Sequence, residues 1–190
     1  MARRSALKVI RPSEPIKLDL GCGKNKKEGF TGVDRRRFEG VDVVHDFLKF
    51  PWPWKDESVE EVHMSHCLEH FHGPDRVKIF NELYRIMQKG AKATIITPHW
   101  SSGRAYGDFT HVWPPVSGFM YFYLSKKWRD ENAPDTDIEW NPAGYSCDFE
   151  ATWGFTMHPD VANKNQERQI FAMTFYIEAT QDIVATLTKK

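Results

Sequence analysis

Apolar residues along this chain fall into short runs of two kinds. Residues 16–20 (IKLDL), 30–34 (FTGVD), 41–45 (VDVVH), 59–65 (VEEVHMS) and 91–98 (AKATIITP) are too short for helical turns. Each ends at a glycine, a proline or a polar residue, which predicts five strands. Between the fourth and fifth, Val77, Phe80, Leu83, Tyr84 and Met87 recur at spacings of three and four with charges between them. That pattern predicts one amphipathic helix, with Pro74 in its first turn and Gly90 just past its end. Residues 50–58 (FPWPWKDES) read as loop, because Pro51 and Pro53 forbid regular pairing. Residues 146–157 and 179–190 predict two final strands, antiparallel, with a helix near 166–176 between them. Strands alternating with a helix indicate an α/β sheet with helices packed on its faces.

Composition narrows the class. A chain of 190 residues, 41% hydrophobic and 27% charged, can bury its own core, and no disordered or fibrous reading fits. No apolar run is long enough to span a bilayer or follows Arg3 and Arg4 as a secretory signal would, so a cytoplasmic protein without a membrane partner is expected. Cys22, Cys67 and Cys147 are too few for a disulfide framework. Lys plus Arg equals Asp plus Glu, 26 each, which leaves no basic excess for nucleic acid. Residues 1–15, with mixed charge and two prolines, are expected to form a flexible arm ahead of one domain over 16–190. Nine aromatics crowd residues 98–128. That stretch reads as an insertion after strand five, and 99–147 is expected to form an acceptor pocket or lid.

The chemistry begins at LDLGCG, residues 18–23, where a strand runs into a loop with glycines at 21 and 23. Such glycines let backbone approach a ligand closely, with amides available to donate. A dinucleotide fingerprint would need a third glycine where Lys26 stands and an acid further on than Asp34, so NAD is disfavoured. Asp19, Asp34 and Asp46 lie at or just past the ends of strands one, two and three. In an open α/β sheet the ligand crevice lies outside those ends, so the three carboxylates converge on one place. A ligand with hydroxyls, an amine and a cationic centre would suit them.

LDLGCG, GVD ending at Asp34, HDF at 45–47, SHCLEHF after strand four and NELYRIMQKGAKATIITP together resemble the class I S-adenosylmethionine-dependent methyltransferases, of the small, single-domain, type 11-like kind. The resemblance covers residues 17–98. It implies a Rossmann-like, open, mostly parallel seven-stranded sheet in the order 3-2-1-4-5-7-6, with helices on both faces. It also implies S-adenosylmethionine as cofactor and transfer of its methyl group to an acceptor, expected to be a small molecule. By the same resemblance Gly21, Cys22 and Gly23 would border the methionine part, Asp34 would take the ribose hydroxyls, and Asp46 would face the adenine amine. Phe47 would lie beside the ring and His66 along the pocket wall, while Asp19 would order the loop or reach the cofactor ammonium through water. Only residues 24–31 separate Gly23 from Gly32, fewer than a crossover helix usually needs, so the first helix is expected to be shortened or absent.

His66, Cys67, Leu68, Glu69 and His70 also spell H-x-x-E-H, the pattern of an inverted zincin, which requires a helix and a third ligand. Packing and capping at a helix start is the preferred reading of Glu69 and His70, and no metal site is expected. For a base near neutral pKa, histidine is the best-matched side chain. His111 is the first candidate and His99 the second, with Asp108 orienting one of them. A non-catalytic adenosyl-binding or partner-binding module and a zinc hydrolase are the alternatives.

Overall fold

Leu18 and Leu20 alternate with Lys17 and Asp19, and the chain folds there into β1 (Ile16–Leu20), the central strand of the parallel half of the sheet. The structure is a computed structural model that describes residues 16–134 and 144–190; the expected arm at 1–15 and part of the 99–147 insertion lie outside them. β2 (Thr31–Asp34), β3 (Val43–Val44), β4 (Val59–Ser65), β5 (Met87–Pro98), β6 (Phe149–Met157) and β7 (Thr180–Lys189) complete a seven-stranded sheet. Its order is β3-β2-β1-β4-β5-β7-β6, as the resemblance implies. The pairs from β3 to β5 are parallel, and β7 runs antiparallel to both of its neighbours.

α1 (Gly73–Ile86) is the crossover between β4 and β5, and it buries Val77, Ile79, Phe80, Leu83 and Ile86. It stops four residues before Gly90, because Met87 already pairs with Val59 as the first residue of β5. A register shift absorbs Gly90, whose φ is +80°. The short helices α2 (Arg104–Gly107) and α3 (Lys126–Asn132) lie in the insertion, with a 3-10 segment at Gly118–Leu124 between them. α4 (Pro159–Ala162) and α5 (Gln166–Phe175) join β6 to β7.

Helical cover is uneven. Among the described residues no helix joins β1 to β2, β2 to β3 or β3 to β4. The fully buried strand residues, among them Leu18, Leu20, Val62, Met64, Ala93, Ile95, Ala185 and Leu187, project from one face. The opposite face presents Lys17, Glu61, His63, Lys92, Thr94, Thr186 and Thr188, half-buried or exposed, with Lys17 paired to Glu61 at 2.8 Å.

The loop between β3 and β4 covers the core in place of a helix. Trp52 and Trp54 are buried there, and Glu82 of α1 accepts the Trp52 N–H at 2.6 Å while pairing with Arg85. Burial pushes the Glu82 carboxyl up, but the Arg85 guanidinium and the Trp52 amide outweigh it and hold it below the usual carboxylate range. A carboxyl lowered on folding adds stability above its unfolded pKa, and this contribution is lost as pH falls through the folded value. We therefore expect Glu82→Gln to cost about 1.5 to 3 kcal/mol at neutral pH. The difference from the parent should shrink in acid, where Glu82 is itself neutral. Urea denaturation at two pH values checks this, and a pH-independent difference would contradict it.

Candidate active site

Gly21 takes φ +73° at the end of β1, so the chain turns back toward β2. The amides of Gly21 and Cys22 both donate to the Val33 carbonyl, at 2.8 and 3.2 Å, and Gly23 N–H donates to Asp34 Oδ2 at 3.0 Å. The sequence led us to expect free donors here; instead all three amides bind β2. What the bend offers is space. At Gly23, φ +54°, nothing lies within 4 Å of where a Cβ would stand. At Gly21 a Cβ would come 2.5 Å from Cys67 Sγ, so the segment after β4 lies directly on the loop. The Cys22 side chain is buried beside Gly32, and burial raises its thiol to about 11. It packs beneath the loop.

Asp34 is half-buried, with Oδ1 accepting from the Arg36 amide at 2.9 Å. Each of its oxygens keeps a second lone pair for a ligand hydroxyl. Asp46 follows His45, whose N–H donates to the Asp34 carbonyl at 2.9 Å, so these two acids sit at adjacent strand ends. Asp46 Oδ1 accepts from Leu48 N–H at 3.1 Å, and Oδ2 has no hydrogen bond among the described residues. Asp19 is 3% exposed, and its two oxygens meet His63 Nδ1 and the Lys27 amide, each at 2.7 Å, which ties the end of β1 to the loop. Phe47 corrects the sequence expectation: at 4% exposure its ring lies in the core against Trp52 and Phe71, because the helix-free connection needs aromatic cover there. His66, with φ +50°, turns the chain just past β4 toward Glu69. The Glu69 carboxylate at 3.4 Å raises the His66 pKa against the opposing effect of burial.

The H-x-x-E-H residues do not form the helix that a zincin needs, since only Leu68–His70 make a 3-10 turn. Glu69 does not cap a helix either. It is 4% exposed, and neither carboxylate oxygen has a hydrogen bond among the described residues. The insertion docks on this turn: Val112 N–H donates to the Glu69 carbonyl at 3.1 Å, and the buried Arg76 binds the carbonyls of Phe71, Val112 and Pro114. Docking brings His111 Nε2 to 3.9 Å from both Glu69 Oε1 and Asp108 Oδ2. His111 Nδ1 lies 3.3 Å from the Ala105 carbonyl, which can only accept, so this contact favours the tautomer with hydrogen on Nδ1. Asp108 Oδ1 accepts from the Thr110 hydroxyl at 2.7 Å and the Thr110 amide at 2.8 Å; these bonds hold its carboxyl below the usual range. The Thr110 hydroxyl also meets His70 Nδ1 at 3.0 Å.

His99 is placed differently. It is buried beside Trp100 and Phe155 with Nδ1 on the Ser101 hydroxyl at 2.8 Å, and burial lowers its pKa. Sequence reasoning read Glu69 and His70 as packing and capping residues; the structure sets them instead beside His111 and Thr110.

Comparison with known proteins fits this geometry. Residues 26–95 match the family model described as a methyltransferase domain. A solved S-adenosylmethionine-dependent methyltransferase from Archaeoglobus fulgidus superposes with a TM-score of 0.64 at 17% identity, over 94% of this chain and 87% of that one. The chain is built on the class I methyltransferase fold. Geranyl diphosphate C-methyltransferase from Streptomyces coelicolor, solved with Mg2+, geranyl diphosphate and S-adenosyl-L-homocysteine, is also similar. Its TM-score is 0.53 at 14% identity, over 97% of this chain and 74% of that one. No curated protein shows significant sequence similarity to the chain. Within the methyltransferase fold, the Gly21–Gly23 bend and the acids after β2 and β3 occupy the carboxyl ends of the parallel strands, and the Glu69–His111 cluster lies past β4.

Proposed function

We propose that the protein is an S-adenosylmethionine-dependent methyltransferase acting on a small acceptor. The observation that carries this reading is the bond from Gly23 N–H to Asp34 Oδ2 beside open space at Gly23. It joins a spacious bend to a half-buried carboxylate that still has lone pairs for paired hydroxyls. Asp46, with one oxygen uncommitted, suits an exocyclic amine next to them. This donor set fits an adenosyl group.

When bound, the cofactor supplies a methyl group on a sulfonium, and transfer needs the acceptor aligned behind the S–CH3 bond. Asp34 and Asp46 hold the nucleoside, and Asp19 fixes the loop through Lys27. In this reading His111 Nε2 takes the proton that a hydroxyl or amine acceptor releases. The Ala105 carbonyl sets its tautomer, and Asp108 and Glu69 stabilise the imidazolium. His99, enclosed and committed to Ser101, is the weaker candidate.

A charge-assisted hydrogen bond contributes about 1.5 to 3 kcal/mol, which is about tenfold or more in affinity. Asp34→Ala is therefore expected to weaken S-adenosylmethionine binding at least about tenfold by calorimetry. Unchanged affinity in a folded variant would remove the assignment.

A further inference from the structure

We propose that Glu69, His70 and His111 hold a divalent first-row transition-metal ion on the acceptor side of the site, with the Asp108 carboxylate nearby. One ligand atom from each of the three lies within 4.8 Å of the others. They come from the turn after β4 and from the docked insertion, so the fold assembles them from distant parts of the sequence.

The Glu69 carboxylate is buried without a single hydrogen bond among the described residues. Such a group is costly unless a cation faces it. His66 Nδ1, 3.4 Å from Glu69 Oε1, and Arg76 contribute positive charge nearby, but His66 covers one oxygen from the edge of the turn and Arg76 directs its hydrogen bonds to three backbone carbonyls, so neither carboxylate oxygen is hydrogen-bonded. Anchoring Nδ1–H on a backbone carbonyl is how a ligating histidine is oriented, and the Ala105 carbonyl does this for His111. The lone pair on His111 Nε2 then faces Glu69 Oε1 and Asp108 Oδ2, each at 3.9 Å. Those separations are too long for hydrogen bonds, and small side-chain shifts would close the donors on an ion at about 2.0 to 2.2 Å.

Two imidazoles with carboxylate oxygens suit zinc, manganese, iron or cobalt, whereas magnesium and calcium prefer oxygen alone. Three protein donors leave a position open to an oxygen of the acceptor. The ion site stands on its own geometry; only its role toward the acceptor rests on the methyltransferase reading. With the ion bound, His111 is a ligand, and the ion itself acidifies an acceptor oxygen.

The test is metal loading of the full-length protein after chelator treatment, with Zn2+, Mn2+ and Co2+ as probes. Elemental analysis, the visible cobalt spectrum and calorimetry of S-adenosylhomocysteine are the readouts. The proposal expects about one ion per chain, cobalt d–d bands, and at least about tenfold weaker metal binding in Glu69→Gln and in His111→Ala. Circular dichroism confirms that each variant is folded, and Glu69→Gln keeps the side-chain volume if His111→Ala does not fold. A parent protein that takes up none of the three ions, or a Glu69→Gln variant that binds them as tightly as the parent, overturns the site. S-adenosylhomocysteine binding to the same metal-free protein would leave the cofactor assignment standing even then, so the two failures are separable.

Discussion

Gly21→Ala is expected to destabilise the protein by about 2 to 5 kcal/mol and to abolish measurable cofactor binding. Two costs combine. A left-handed backbone at φ +73° disfavours a Cβ by about 1 to 2 kcal/mol. The new methyl would also stand 2.5 Å from Cys67 Sγ and 2.7 Å from Cys67 Cβ, and overpacking of this kind typically costs about 1 to 3 kcal/mol. Cys67 is buried. Gly23→Ala provides the contrast: it carries backbone strain but meets nothing within 4 Å. It should lose only the backbone share, about 1 to 2 kcal/mol, and much affinity, because its methyl enters the space assigned to the ligand. Urea denaturation with calorimetry separates the two variants, and wild-type stability in Gly21→Ala would show that the loop and Cys67 are not packed together as described.

Asp19→Ala is expected to cost about 3 kcal/mol or more and to weaken cofactor binding through the loop. The carboxylate joins β1 to two partners, His63 of β4 and the Lys27 amide, and its removal leaves both without an acceptor in a largely buried place. Because Asp19 is 3% exposed, its effect on binding is expected to pass through the position of residues 21–27. A double-mutant cycle with His63→Ala assigns the shares: a coupling energy near zero would mean that the 2.7 Å contact with His63 does not stabilise the fold.

Much of this was visible in the sequence. IKLDL and VEEVHMS mark β1 and β4 at their observed ends, because glycine, proline and polar residues punctuate short apolar runs sharply. The acids at or just past the ends of β1, β2 and β3 were legible for the same reason. Met87 was not, since its spacing from Leu83 and Tyr84 fits the helix as well as its pairing with Val59 fits the strand. VDVVH shortens to two paired residues, and Asp42 within it accepts the Gly32 amide and Lys26 instead of supporting a longer strand. The Gly21 and Cys22 amides looked available because sequence does not reveal which carbonyl competes for them; Val33 does. The resemblance sets Phe47 by its place along the chain, which does not tell the side a ring takes; its ring packs on Trp52 and Phe71. The meeting of Glu69 with His111 depends on docking across a long stretch of sequence, which periodicity does not report.

The uneven helical cover also had a sign in the sequence. Parallel strands buried on both sides read as nearly continuous apolar runs, yet β1 and β4 alternate, with Lys17, Asp19, Glu61 and His63 taking every second place. For a chain of this architecture, mutational tolerance should then oscillate with a period of two along the strands. Inward positions such as Ile95 and Ala185 have one solid neighbour layer and little latitude, while Thr94 and Thr186 beside them belong to a surface that can be rewritten in polar residues. A sheet covered in this way can accept new surface chemistry on its back without change to its core.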